Sequence, residues 1–397
     1  MLRRTFVRSG ALAALTGSLW RSACAAPAVP GAAPSPVSSS ASPPVPSPTP
    51  TGDAVRGKGP YGALAKPDKN SIALAEGFTS RVVGRSGQRV GGLTWHPAPD
   101  GGACFADGDG WIYVSNSEVP VVGGVSALRF GPDGSIKTGY RILSGTDRNC
   151  AGGATPWNTW LSCEETVRGR VFECDPYGYR AAAPRLAMGR FKHEAAACDP
   201  DREVVYLTED EPDGCFYRFR PEDWGDLTTG ILEVMVGDGA GPVRWRRIPN
   251  PSASHEPTRD QVEGAIRFNG GEGCYYSGGF CYFTTKGDNR VWAYDAAARE
   301  LSVLYDANAP LKGVDNVFVS RSGDLFVAED GGNMEINIIT ADGVVAPFLR
   351  LVGHSRSEIT GLAFAPEGDR LYFSSQRGTT GSNRSGVTYE VMGPFRA

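Results

Sequence analysis

The sequence predicts an all-β fold, a six-bladed β-propeller preceded by an N-terminal export signal and a disordered linker rich in Pro, Ser and Ala. Three observations carry that prediction. Apolar residues recur in short runs of four to seven, such as Trp111-Ile112-Tyr113-Val114, Val204-Val205-Tyr206-Leu207, Asp324-Leu325-Phe326-Val327 and Arg370-Leu371-Tyr372-Phe373, the length of buried strands. Gly/Asp/Pro turns precede them, as at Pro99-Asp100-Gly101-Gly102, Pro132-Asp133-Gly134, Asp199-Pro200-Asp201, Ser322-Gly323-Asp324 and Pro366-Glu367-Gly368-Asp369. Finally, the strand sets repeat. His193-Glu194 to Leu207, Val314-Asp315 to Val327 and Ser357-Glu358 to Phe373 align in one frame, each a polar opening residue, a strand, a turn and a second strand.

Taken in order, residues 1–25 form the export signal. Paired arginines (Arg3, Arg4) precede an apolar stretch from Ala11 to Trp20 and a small-residue cleavage site at Ala23-Cys24-Ala25, and the pair favours the twin-arginine route. No apolar run reaches the ~20 residues of a spanning helix, so no transmembrane segment is expected. Residues 26–52 are almost wholly Pro, Ala, Ser, Val, Thr and Gly, which bury too little apolar surface to offset the entropy of ordering. Residues 53–397 form the propeller domain. The formal charge is −4, and removing Arg3, Arg4, Arg8 and Arg21 with the signal takes it to −4 − 4 = −8, which excludes nucleic acid as a partner. Gly supplies 52 of 397 residues without a collagen period, which fits a turn-rich chain expected to act as a monomer.

Within the domain the opening residues are Cys150, Glu194, Glu272, Asp315 and Glu358, spaced by 44, 78, 43 and 43. A period near 43 is the size of a four-stranded propeller blade, and the 78 is one period plus an insertion from Pro221 to Gln261. A unit from Gly92 to Val119 comes first and makes six. The ring closes by pairing a strand near Phe78–Val83 with C-terminal strands near Val387–Met392. Since innermost strands begin near the axis, the opening residues meet in one cavity. Three or four carboxylates there cannot all ionise without cations between them. Hard oxygen donors suit Ca²⁺ or Mg²⁺, and a thiolate among them suits a softer metal such as iron or zinc.

Outside the repeat, Glu118, Glu164, Glu165 and Glu329-Asp330 read as turn or surface residues. Eight cysteines remain after cleavage, without a CxxC pair or zinc-finger spacing, and folded export favours mostly free, buried thiols. The four histidines are isolated, and no HExxH, P-loop, GxSxG or GxGxxG motif occurs. His193, beside Glu194, is expected in a supporting rather than a ligating role.

Asn149-Cys150-Ala151-Gly152-Gly153-Ala154-Thr155-Pro156-Trp157, followed by Cys163-Glu164-Glu165, resembles a block of the PhoX-type alkaline phosphatases. Gly189-Arg190-Phe191-Lys192-His193-Glu194, Gly271-Glu272-Gly273 and Glu358-Ile359-Thr360-Gly361 resemble further blocks, so the likeness spans about residues 60–395. It implies an exported phosphomonoesterase, periplasmic, cell-surface or extracellular, that uses iron and calcium on a small phosphate ester. Carried over by position, Cys150, Glu165, Glu194 and Glu272 are the implied catalytic residues, and with Asp315 and Glu358 the implied metal ligands. One departure stands out: the family's arginine two residues before the Glu-Gly pair is Gly270 here. Arg190 and Arg290 are the leading candidates to bind substrate instead, with Arg267 and Arg377 as further ones. The competing expectations are a calcium-dependent lactonase-type hydrolase, which a carboxylate and Asn316 site would suit, and an exported propeller without catalysis.

Overall fold

Alternating apolar strands and Gly-rich turns build six sheets around one axis in the computed structural model, which describes residues 55–306 and 310–397. The expected export signal and linker, 1–25 and 26–52, lie outside the described residues. Blade 1 runs Pro99–Asp107, Gly110–Ser117, Gly123–Phe130 and Ile136–Thr146, and blade 2 runs Asn149–Ala154, Trp160–Glu164, Val171–Cys174 and Ala183–Pro184. Blade 3 comprises His193–Asp199, Val204–Glu209, Phe216–Asp223, Asp226–Val236 and Arg244–Arg247. Blade 4 comprises Gly271–Ser277, Phe280–Thr285, Arg290–Asp295 and Glu300–Asp306, and Gly241–Pro242 extends its outer edge. The expected insertion therefore supplies outer strands to two neighbouring blades. Blade 5 contains Val314–Val319, Leu325–Glu329, Glu335–Ile339 and Val344–Leu351, with Val55–Arg56 and Ile72–Leu74 laid on its outer strand.

Blade 6 closes the ring. Its strands Ile359–Phe364, Arg370–Ser375 and Val387–Met392 come from the C-terminus, and Thr79–Arg85 pairs antiparallel with the last of them. Each blade's first strand packs on the next, and the sixth packs on the first. Sheets that face neighbours on both sides must bury both faces. The buried apolar residues accordingly form six clusters, one in each gap between blades. Among the described residues the only helical turns are Leu186–Met188, Thr258–Asp260 and Asn383–Ser385.

One expectation is corrected. Pro99-Asp100-Gly101-Gly102 is not a turn leading into a strand but the start of blade 1's innermost strand. Blade 1 thus spans 99–146 rather than 92–119, because the Gly pair that reads as a turn is a place where two backbones meet. A Cβ on Gly101 would lie 2.5 Å from the Ala151 Cα of blade 2.

Candidate metal centre

The same local device recurs at the start of every blade. The first and second strands pair at Pro99↔Ser117, Asn149↔Glu164, His193↔Glu209, Gly271↔Thr285, Val314↔Glu329 and Ile359↔Ser375. A register shift follows each of these pairs within a residue, and such a bulge re-aims the side chains it contains. The residue after the first partner is Asp100, Cys150, Glu194, Glu272, Asp315 or Thr360, and all six line one cavity of about 220 Å³. The residue after the second partner is Glu118, Glu165, Asp210, Lys286, Asp330 or Gln376, and the first five of these line the cavity as a second ring. Glu358 and Arg377 complete the lining.

All six expected ligands, Cys150, Glu165, Glu194, Glu272, Asp315 and Glu358, therefore face the same space. Glu358 reaches it from two residues before the repeat position, which Thr360 occupies. Glu118 and Asp330, read as surface or turn residues, belong to the second ring. Glu164 and Glu329 do not line the cavity. Each is the residue just before a ring member, so strand alternation turns it the other way. Glu164 accepts the Asp147 and Arg170 N–H groups, and Glu329 those of Lys312 and Glu335. Sequence reasoning missed Asp100, Asp210 and Lys286. The demand for a sixth opening residue would have found Asp100; the second ring shows only once the bulged register is known.

The leading substrate-binding candidates are elsewhere. Arg190 donates to the Arg168 carbonyl, 2.8 Å away, and Arg290 is tied to Asp288 and Asp306 at 3.2 and 2.6 Å. Arg267 pairs with Asp260. Of the arginines considered, only Arg377 reaches the cavity, because it follows blade 6's second strand, whereas Arg190 lies before blade 3 and Arg290 opens a third strand. His193 points away from the cavity, buried against Phe191 with ring centroids 3.6 Å apart, and burial drops its imidazole to about 3.

Electrostatically the cavity sets nine carboxylates against two cations, Lys286 and Arg377. Burial, reinforced by neighbouring acids, pushes the carboxyls of Asp100, Glu194, Glu272 and Glu358 well above the ordinary range, and those of Glu165 and Asp315 up to about 7. The Cys150 thiol rises for the same reasons and lies 3.2 Å from Glu194 Oε1. Lys192 spans Glu165 and Asp210 at 2.8 Å each, and Gln376 donates to Asp100 and Glu118 at 2.5 and 2.7 Å. Four donor sets chain around the wall: Cys150/Glu165/Glu194, Glu194/Glu272/Asp315, Asp315/Asp330/Glu358 and Asp100/Glu118/Glu358, each with donor atoms within 4.8 Å of one another. Neighbouring sets share Glu194, Asp315 and Glu358. Glu194 Oε2 is buried without a hydrogen-bond partner, an unmet demand that a cation would satisfy. The donors thus fit metal ions, one set with a thiol and three of oxygen alone.

Fold and site together define a six-bladed β-propeller with an acidic, thiol-bearing axial cavity. The family model of the alkaline phosphatase PhoX matches residues 123–171 and 167–301. Over residues 123–301 the chain is thus similar to the PhoX alkaline phosphatase family. Among solved structures, Pseudomonas fluorescens PhoX in complex with vanadate, a transition state analogue, shares the fold at TM-score 0.70 and 17% identity, over 83% of this chain and 97% of that one. A protein of unknown function from Bacteroides thetaiotaomicron matches at TM-score 0.51 and 10% identity, over 79% of this chain and 76% of that one. No curated protein matches the chain by sequence.

Proposed function

We propose that the protein is an exported, metal-dependent phosphomonoesterase with its reaction centre in the axial cavity. The observation that carries this reading is the chain of four overlapping donor sets, with a thiol in one and carboxylates throughout. The sequence match to the PhoX family across the first of these sets supports it. The thiol suits the Cys150/Glu165/Glu194 set to iron, the softer metal that the family resemblance implies, and oxygen hardness suits the sets of Glu272, Asp315 and Glu358 to calcium. Export runs through the signal at 1–25, and the 26–52 linker then tethers the domain at 53–397.

When bound, the cations polarise the phosphoryl oxygens and offset the charge that develops on them in the transition state. The chain's own residues prepare the ground for this. Lys192 holds Glu165 and Asp210, Gln376 holds Asp100 and Glu118, and Arg377 holds Glu358 at 2.9 Å, so the donors are oriented in advance. Cys150 and the raised carboxyls must release protons to take metal, which couples metal affinity to pH.

The test is the elemental content of protein exported by its own route and kept from chelators, with its turnover of an aryl phosphate and of a simple lactone. Iron and calcium together, with phosphate turnover, are expected, and Cys150→Ala should lose iron and activity while keeping calcium. Calcium alone with lactone turnover would move the chemistry to a lactonase type. Calcium alone with no turnover would leave the ions a structural role.

A further inference from the structure

Six-fold repetition makes an exception visible. In the second ring, Glu118, Glu165, Asp210 and Asp330 are acids and Gln376 is an amide, whereas blade 4 places a cation, Lys286. Its backbone is fixed, since the Lys286 N–H donates to the Gly270 carbonyl at 2.9 Å. Gly270 sits at φ +72°, and a Cβ there would lie 3.3 Å from Asp210 Oδ1 and 4.0 Å from the Lys286 Cβ.

The ammonium lies 2.7 Å from Glu272 Oε1 and 3.5 Å from Asp330 Oδ2. Arg377 approaches Asp330 from the other side, at 3.7 Å, so two cations flank one carboxylate. Their side chains are 35% and 30% exposed, in an otherwise acidic wall. An ammonium has three N–H donors. That of Lys286 is ion-paired with Glu272 and Asp330, and with its side chain 35% exposed it can also donate to an oxygen entering the cavity.

We propose that Lys286 anchors the phosphoryl group of the substrate, donating to a non-bridging oxygen beside Arg377. The inference rests on the phosphatase reading. Bound metal ions offset the wall's negative charge, but they do not replace directional N–H donors, which Lys286 and Arg377 supply in an otherwise largely acidic wall.

The experiment compares native holoprotein with Lys286→Met and Lys286→Arg. It reads metal content, binding of inorganic phosphate by calorimetry, and kcat and KM on an aryl phosphate. Lys286→Met should keep the native metal content, weaken phosphate binding about tenfold or more and raise KM in step, with a smaller change in kcat. Lys286→Arg should recover most of the binding. If Lys286→Met does not accumulate, Lys286→Gln serves as the uncharged variant. Phosphate binding within about twofold of native in the uncharged variant overturns the anchoring role and leaves the phosphatase reading intact. Loss of metal in that variant would make Lys286 a counter-ion for Glu272 and also overturn it. Native holoprotein that neither binds phosphate nor turns over the ester would overturn the phosphatase reading, and the anchor with it.

Discussion

Glu165 and Asp315 hold their protons up to about 7, first because both are buried and then because Glu118 stands by the one and Asp330 by the other. An unfolded chain frees such carboxyls at the ordinary 4.5 and 3.8. The metal-free folded state therefore binds more protons than the unfolded one between those values, and its stability falls as pH rises through that window. Glu194, Glu272, Glu358 and Asp100, also raised well above the ordinary range by burial, act in the same direction. Chelator-treated protein should thus melt at a lower temperature at about pH 8 than at about pH 5, and added calcium should restore most at the higher pH, where it replaces the missing protons. A metal-free melting temperature that does not change across this range would remove the site from the stability account.

Strands position the site through their bulges, and so close to the axis the residue that follows is Gly or Ala in five blades of six. That residue is Gly101, Ala151, Ala195, Gly273, Asn316 or Gly361. A Cβ on Gly273 would lie 2.6 Å from the Val317 nitrogen and 2.7 Å from the Asn316 Cα, both backbone atoms of the next blade. Asn316 is the one larger member, and it uses its side chain to tie blades 5 and 6, accepting the Gly361 N–H at 2.6 Å. Gly273→Ala must push blade 4 from blade 5, at a cost of about 2 kcal/mol, and should loosen the Glu272 and Asp315 donors together. Urea unfolding with calcium titration measures both, and a variant within about 0.5 kcal/mol of native would show that the first strands are not held in contact.

A closed ring has no free end from which to fray, provided its seam holds. Here Phe78, just before the closing strand, meets Tyr61, Phe348 and Phe395 at centroid distances of 5.2, 5.1 and 5.0 Å. These rings join the N-terminal segment, blade 5 and the C-terminus. Phe78→Ala should cost about 3 kcal/mol and lower the denaturation midpoint of the whole domain in a single transition. Circular dichroism and tryptophan fluorescence should move together; a separate early transition would mean that blade 6 opens alone. Such closure also keeps all six walls of the cavity in register, which a site built from six separate blades requires.

Much of this protein is legible in sequence because a propeller repeats. Strand runs, turn chemistry and a period near 43 place the blades and bring Cys150, Glu194, Glu272 and Asp315 to one axis, since equal positions in equal units are equivalent by symmetry. Repetition also misleads where a unit departs from it. Glu358 matches the period yet stands two residues before the repeat position, and Asp100 hides in a Pro-Asp-Gly-Gly that reads as a turn. Position in the chain gives no hint that Lys286 and Arg377 face the acids while Arg190 and Arg290 do not. That depends on bulges, which shift a strand by one residue and so exchange its two faces. The sequence by itself determined the strands, the blade count and the chemical character of the centre. Only the tertiary structure decided which of two adjacent side chains looks inward, because that choice is made by register and by backbone contact between blades far apart in the chain.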